Sequence, residues 1–90
     1  MYKLRLTTRF QKDLNRIKKR GYDLSLLTKV INFLAEGKPL PTHYEDHFLS
    51  GDYTNCSECH ILPDWLLIYE IDHEEHILYL VKVGTHSDLF

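Results

Sequence analysis

The stretch from Asn55 to Ile71, NCSECHILPDWLLIYEI, decides how this chain folds. Read for motifs, its C-x-x-C-H spelling is that of c-type haem attachment. Its hydrophobic pattern says something different. Leu66, Leu67, Ile68 and Ile71 form an apolar run of central-strand length, and Pro63-Asp64 is a turn signal that separates it from a second extended segment around residues 52–62. Within an extended segment, residues three apart point to opposite faces, so Cys56 and Cys59 diverge instead of converging on one ligand. A redox C-x-x-C normally opens a helix, where the dipole lowers the thiol pKa, and this one does not. Haem would also want a second axial ligand, usually Met, and the only methionine is Met1.

Working outward, residues 72–76 are polar and read as a hairpin turn in which His73 and His76 are solvated. Ile77, Leu78, Leu80, Val81 and Val83 then make the next strand. Towards the N-terminus, residues 38–51 carry Pro39, Pro41 and Gly51 and read as a long loop, of the kind that often carries function. Before it, Leu24, Leu27, Val30, Ile31 and Leu34 form a helical stripe that Asp23 can cap and Gly37 can end. Phe10, Leu14 and Ile17 form another, with Thr8 as its expected N-cap and Gly21 as its stop. Tyr2, Leu4 and Leu6 alternate with Lys3 and Arg5, as in a strand with one face on the core. The order of strand, helix hairpin and meander predicts one α+β domain over residues 1–90, with the two antiparallel helices packed on one face of a mainly antiparallel sheet of four to five strands.

Ninety residues with 43% hydrophobic content leave room for one small core, and no apolar run approaches the ~20 residues of a membrane span. The start, MYKLRL, lacks the apolar region of a secretion signal, so a cytoplasmic protein without a membrane role is expected, its cysteines thiols. Net charge is −2 but unevenly spread. Residues 1–20 hold Lys3, Arg5, Arg9, Lys12, Arg16, Lys18, Lys19 and Arg20 against Asp13 alone, a local +7, and the remaining seventy residues carry −9. A basic segment of that kind suits a polyanion such as ribosomal RNA, or is a solvated helix face.

Six histidines are many for this length, and His43, His47, His60 and His86 fall in loops or at strand ends instead of in apolar stripes. Such a set can supply a proton acceptor and a proton donor without a metal or other cofactor. The competing reading is a zinc site from His43, His47, Cys56 and Cys59, whose H-x₃-H and C-x₂-C spacings offer four ligands; strand parity opposes it.

Three segments taken together, YEDHFLSGDY (44–53), ECHILPDWLLIYEI (58–71) and VGTHSDLF (83–90), resemble the YafQ branch of the RelE superfamily of bacterial type II toxins. The resemblance implies a RelE-like fold and a ribosome-dependent endoribonuclease, an mRNA interferase that cleaves mRNA in the ribosomal A site and is neutralised by a cognate antitoxin. It places catalytic roles on His47, His60, Asp64 and His86, and RNA contacts on Phe90, with Trp65 beside them. Metal-free cleavage by 2′-OH attack needs a base, an acid for the departing 5′-oxygen, and a donor for the charge on phosphorus. In that scheme His47 and Asp64 stand on the base side, His86 protonates the leaving group, His60 orients the phosphate, and Phe90 stacks on a base for about 1–3 kcal/mol. Trp65 also fits the core.

Relatives of this kind usually carry Lys or Arg between the loop glycine and the strand histidine, and residues 52–57, DYTNCS, have none. Lys82, Lys3, Arg5 or a histidinium are the expected substitutes. The same departure fits the alternative of a RelE-fold module that binds its antitoxin with weak or no nuclease activity.

Overall fold

The computed structural model describes residues 1–90 apart from the side chain of Asp52. The chain runs β1 (Lys3–Leu6), α1 (Thr8–Lys19), α2 (Leu24–Ala35), β2 (His47–Phe48), β3 (Ser57–Leu62), β4 (Trp65–Asp72), β5 (Ile77–Gly84) and α3 (His86–Leu89). The strands form one sheet in the order β1-β5-β4-β3-β2, antiparallel except where β1 runs parallel to β5. This is the predicted α+β arrangement, with five strands.

Each helix begins where a side-chain oxygen can take up a free backbone N–H. Thr7, one residue before the expected cap, is extended and accepts from the Phe10 N–H at 3.0 Å, while its own hydroxyl donates to the Val81 carbonyl at 2.7 Å. The cap therefore also docks α1 on β5, which is why Thr7 and not Thr8 takes the role. Asp23 caps α2 as expected, and Gly21 and Gly37 take the positive φ that ends each helix. Phe10, Ile17, Leu27, Val30 and Leu34 face a sheet surface made by Cys59, Ile61, Trp65, Leu67, Tyr69, Leu78, Leu80 and Val83. Side chains of this size contribute about 1.5–3 kcal/mol each when fully buried.

The sheet's other face carries a smaller cluster of Cys56, Leu66, Ile68 and Leu89, with Leu49, Tyr53 and Val81 against it. The two thiols thus lie in different clusters on opposite faces, as parity requires, and the four proposed zinc ligands cannot meet. Burial pushes the Cys59 thiol up to about 12, a poor ligand and nucleophile.

Two expectations are corrected. Leu4 and Leu6 do not face the core: they are 46% and 42% exposed on an edge strand, and Tyr2, just before it, packs inward. The segment 38–51 is not a plain loop either. It contains a 3₁₀ turn at Thr42–Tyr44 and the short β2, pinned by buried Tyr44, whose single anchor makes no period to read. Similarly, the extended segment begins at Ser57, after another 3₁₀ turn at Gly51–Tyr53.

Candidate active site

On β3, alternation sends Cys59 and Ile61 under the helices and Glu58 and His60 to the other face. His47 of β2 is the cross-strand partner of Glu58. These three side chains form one constellation. Glu58 is buried, 6% exposed, and one of its carboxylate oxygens lies 3.5 Å from His47 Nε2 and 3.4 Å from His60 Nε2. The other ring nitrogens have contacts of their own: His47 Nδ1 is 2.8 Å from the Glu45 carbonyl, and His60 Nδ1 is 3.3 Å from the Pro63 carbonyl and 3.6 Å from the Glu45 carboxylate. Both imidazoles are oriented from two sides. Glu58 was not among the expected site residues; it stands between the two histidines through the β2–β3 register, which no local sequence pattern carries.

His86 arrives from the far end of the chain. It is the first residue of α3, capped by Thr85, and its ring centroid is 5.9 Å from that of His60, while His47 and His60 are 6.4 Å apart. Asp64, in the β3–β4 turn, accepts from the His86 backbone N–H at 3.1 Å and faces the ring Nδ1 at 2.8 Å. These bonds hold its carboxyl below the usual carboxylate range. Asp64 therefore partners His86 and does not stand beside His47, which corrects the expected pairing. With Nδ1 engaged, Nε2 of the half-exposed His86 ring is the nitrogen left to meet a substrate.

Lys82 lies on the same face. Register runs His47 to Glu58, Glu58 to Ile68 and Ile68 to Lys82, so the lysine stands in the row of His47 and Glu58, two strands beyond Glu58. An irregularity in the β4–β5 pairing, where Ile68 meets Lys82 and Tyr69 meets Leu80, leaves Val81 as an extra residue and turns both Val81 and Lys82 to this face. The ammonium contacts the Tyr53 hydroxyl and lies over the Tyr53 ring, 4.4 Å from its centroid. Phe90, 63% exposed, meets the same ring edge-on at 5.9 Å. Tyr53 was not among the expected site residues.

Other expected contributors fall elsewhere. Lys3 and Arg5 are on β1, at the opposite edge of the sheet from His47, four strand spacings or roughly 19 Å away, so they do not substitute for a cation at the histidines. Trp65 is 1% exposed and meets Tyr22 edge-on in the helix-side core, with no ring face for a base. His43 packs against Tyr44, away from this set. Among the described residues, no group of three or more His, Cys, Asp or Glu side chains is placed to hold a metal ion.

The basic helix is partly spoken for. Arg9 and Arg16 hold the fully buried Asp13, and Arg20 makes two bonds to Asp88 of α3, at 2.7 and 3.1 Å. Arg20 and the Thr85 N–H hold the Asp88 carboxyl far below the usual range. Because the native pKa is depressed, this contribution to stability is complete above the unfolded value of about 4 and is lost as pH falls through the native one. Urea unfolding followed from about pH 6 to pH 2 should therefore show a shallower acid decline for Asp88→Asn than for wild type. Equal slopes would mean that the pair contributes nothing.

Residues 2–90 match the family model of the bacterial toxin of type II toxin-antitoxin systems, YafQ. The mRNA interferase toxin YafQ of Escherichia coli K12 is 34% identical over 82 residues, covering 90% of this chain and 87% of that one. The metal-bound crystal structure of a toxin from Helicobacter pylori superposes over 100% of both chains, with a TM-score of 0.94 and 44% identity. YafQ in the E. coli DinJ–YafQ complex does so with a TM-score of 0.91 and 31% identity, over 100% of this chain and 99% of that one. With its sheet, its helix hairpin and its histidine face, the chain belongs to the YafQ family of type II toxins.

Proposed function

We propose that this protein is an mRNA interferase: an endoribonuclease that cleaves mRNA in the ribosomal A site, acts by acid–base catalysis without routing the reaction through a metal, and is held inactive by a cognate antitoxin. The observation that carries the reading is the pairing of three exposed or half-buried imidazoles with two carboxylates, His47 and His60 on Glu58 and His86 on Asp64, on one sheet face. Membership of the YafQ family, the interferase activity named for the E. coli relatives and the DinJ complex support it.

The chemistry divides between two ends of the constellation. At one end, a histidine of the Glu58 pair takes the proton of the ribose 2′-OH as that oxygen attacks phosphorus. We assign this step to His47, the more exposed of the two: with Nδ1 donating to the Glu45 carbonyl, Nε2 is the accepting nitrogen, and its 3.5 Å contact with Glu58 is too long to occupy it; His60 donates to a phosphate oxygen. At the other end, His86 gives the proton on Nε2 to the departing 5′-oxygen as the P–O5′ bond breaks, while anionic Asp64 steadies the ring through Nδ1. The products are a 2′,3′-cyclic phosphate and a 5′-hydroxyl. Lys82 supplies positive charge in the same row, the place left empty by residues 52–57, and Phe90 and Tyr53 offer aromatic surface to a base. The exposed lysines of α1, Lys12, Lys18 and Lys19, are free to meet ribosomal RNA.

A ribosome programmed with a 2′-deoxy nucleotide at the cleavage position tests this directly. The expected result is loss of cleavage at that bond, with the all-ribose message cut to a cyclic-phosphate end. Cleavage of the deoxy message would refute 2′-OH attack, and an intact all-ribose message would leave the antitoxin-binding module as the function.

A further inference from the structure

The last helix is too short to hold itself. A four-residue helix has no standing stability in water, and chain ends fray unless they are tied down. Yet His86 must sit still, because the proposed acid has to meet a particular oxygen, and a misplacement of about 1 Å can cost on the order of 100-fold in rate. Asp64 grips it from the site side. Something must grip α3 from behind.

That grip is centred on Asp88. Its Oδ2 accepts from the Thr85 N–H at 3.0 Å, closing a capping box in which the Thr85 hydroxyl accepts from the Asp88 N–H at 3.2 Å. The same carboxylate takes both terminal nitrogens of Arg20, with Arg16 3.7 Å away, and the Asp88 carbonyl accepts from Arg9 at 2.8 Å. Gly84 lets the chain lie flush: a Cβ there would stand 2.9 Å from both Cβ and Oδ2 of Asp88. Leu89 is anchored in the small cluster on the site face. The rotation of α3 about its axis is therefore set by an arginine fork at the C-cap of α1, and that rotation aims residue 86.

We propose that Arg20 and Asp88 are positioning residues for the reaction, fixing α3 so that the His86 ring lies on Asp64. This rests on His86 being the general acid. Neither residue touches substrate; both act through His86. The forked geometry matters, since a lysine keeps the charge but cannot make two fixed parallel bonds.

Arg20→Lys and Asp88→Asn are compared with wild type and with His86→Ala on programmed ribosomes, with His86 ring resonances followed by NMR. Expected for both clamp variants is a fall in kcat of about 10-fold or more with KM within about twofold, and loss or broadening of the His86 Nδ1–H signal while amide resonances outside α3 stay in place. Two variants are used because one alone could act through folding. Wild-type kcat in Arg20→Lys, or a raised KM with unchanged kcat, would overturn the clamp and leave Arg20 a contact for ribosomal RNA. If His86→Ala is itself fully active, it is the assignment of His86 as general acid that falls, and the clamp with it; if His86→Ala is dead and both clamp variants are active, only the clamp does.

Discussion

Replacing His86 by Asn is expected to reduce A-site cleavage by a factor of about 10² to 10⁴, the usual worth of a positioned general acid. Asn is the informative choice because its amide can still donate towards Asp64, as Nδ1 does across 2.8 Å, so α3 keeps its place while the proton on Nε2 is gone. A message with sulfur in place of the bridging 5′-oxygen separates acid catalysis from simple damage. A thiolate leaves without being protonated, so the variant should cleave that message at close to the wild-type rate. If the sulfur-bridged message is cut as poorly as the natural one, His86 is not the acid, and its role is reduced to binding. Asp64→Asn, which leaves the ring without an anionic partner, should fall between wild type and His86→Asn.

Much of this arrangement is written in local patterns. The two helices announce themselves because Phe10, Leu14 and Ile17, and Leu24 to Leu34, repeat at the helical period between capping residues and glycine stops. The strand pair around Pro63-Asp64 follows from alternation, and alternation alone was enough to part Cys56 from Cys59. The helix hairpin and the meander then have few ways to pack, so fold class is legible.

What is not local is not legible. Nothing in the sequence shows that β1 pairs in parallel with β5, leaving Leu4 and Leu6 exposed at an edge, since that pairing joins residues more than seventy positions apart. The same separation hides the bond from Arg20 to Asp88 and makes eight early cations look like one RNA-binding surface, when three of them hold carboxylates. Site histidines could be named from the family resemblance, but their partners could not. Glu58 is buried between two of them only because β2 pairs with β3 in one register, and Lys82 faces them only because Val81 is an extra residue in the ladder.

Asp13→Ala is expected to cost about 3 kcal/mol of stability, the lower part of the range for removing one partner of a buried ion pair. Asp13 is the single acid among the first twenty residues and occupies the buried stripe of α1 between Phe10 and Ile17, where an apolar residue would be the simpler choice. Its fully buried carboxylate does two things there. Oδ1 faces Arg9 at 2.9 Å and Arg16 at 3.4 Å, and Oδ2 accepts from the buried Val83 N–H at 3.2 Å. With alanine, the two arginines, each 41% exposed, can turn to water, which limits their part of the loss. The Val83 amide cannot; it lies under α1 and is left unpaired, a penalty of about 1–3 kcal/mol, beside a new cavity. Asp13→Asn keeps an acceptor for that amide and should lose roughly half as much. Urea unfolding at unchanged m-value reads the difference, and for a chain of this size a 3 kcal/mol loss lowers Tm by more than about 10 °C. A loss under about 1 kcal/mol for Asp13→Ala would show that the bond to β5 is replaced by water or a shifted helix. The consequence would reach the site, because α1 docks on β5 through Thr7 and Asp13, and it is from the C-cap of α1 that Arg20 holds the helix bearing His86.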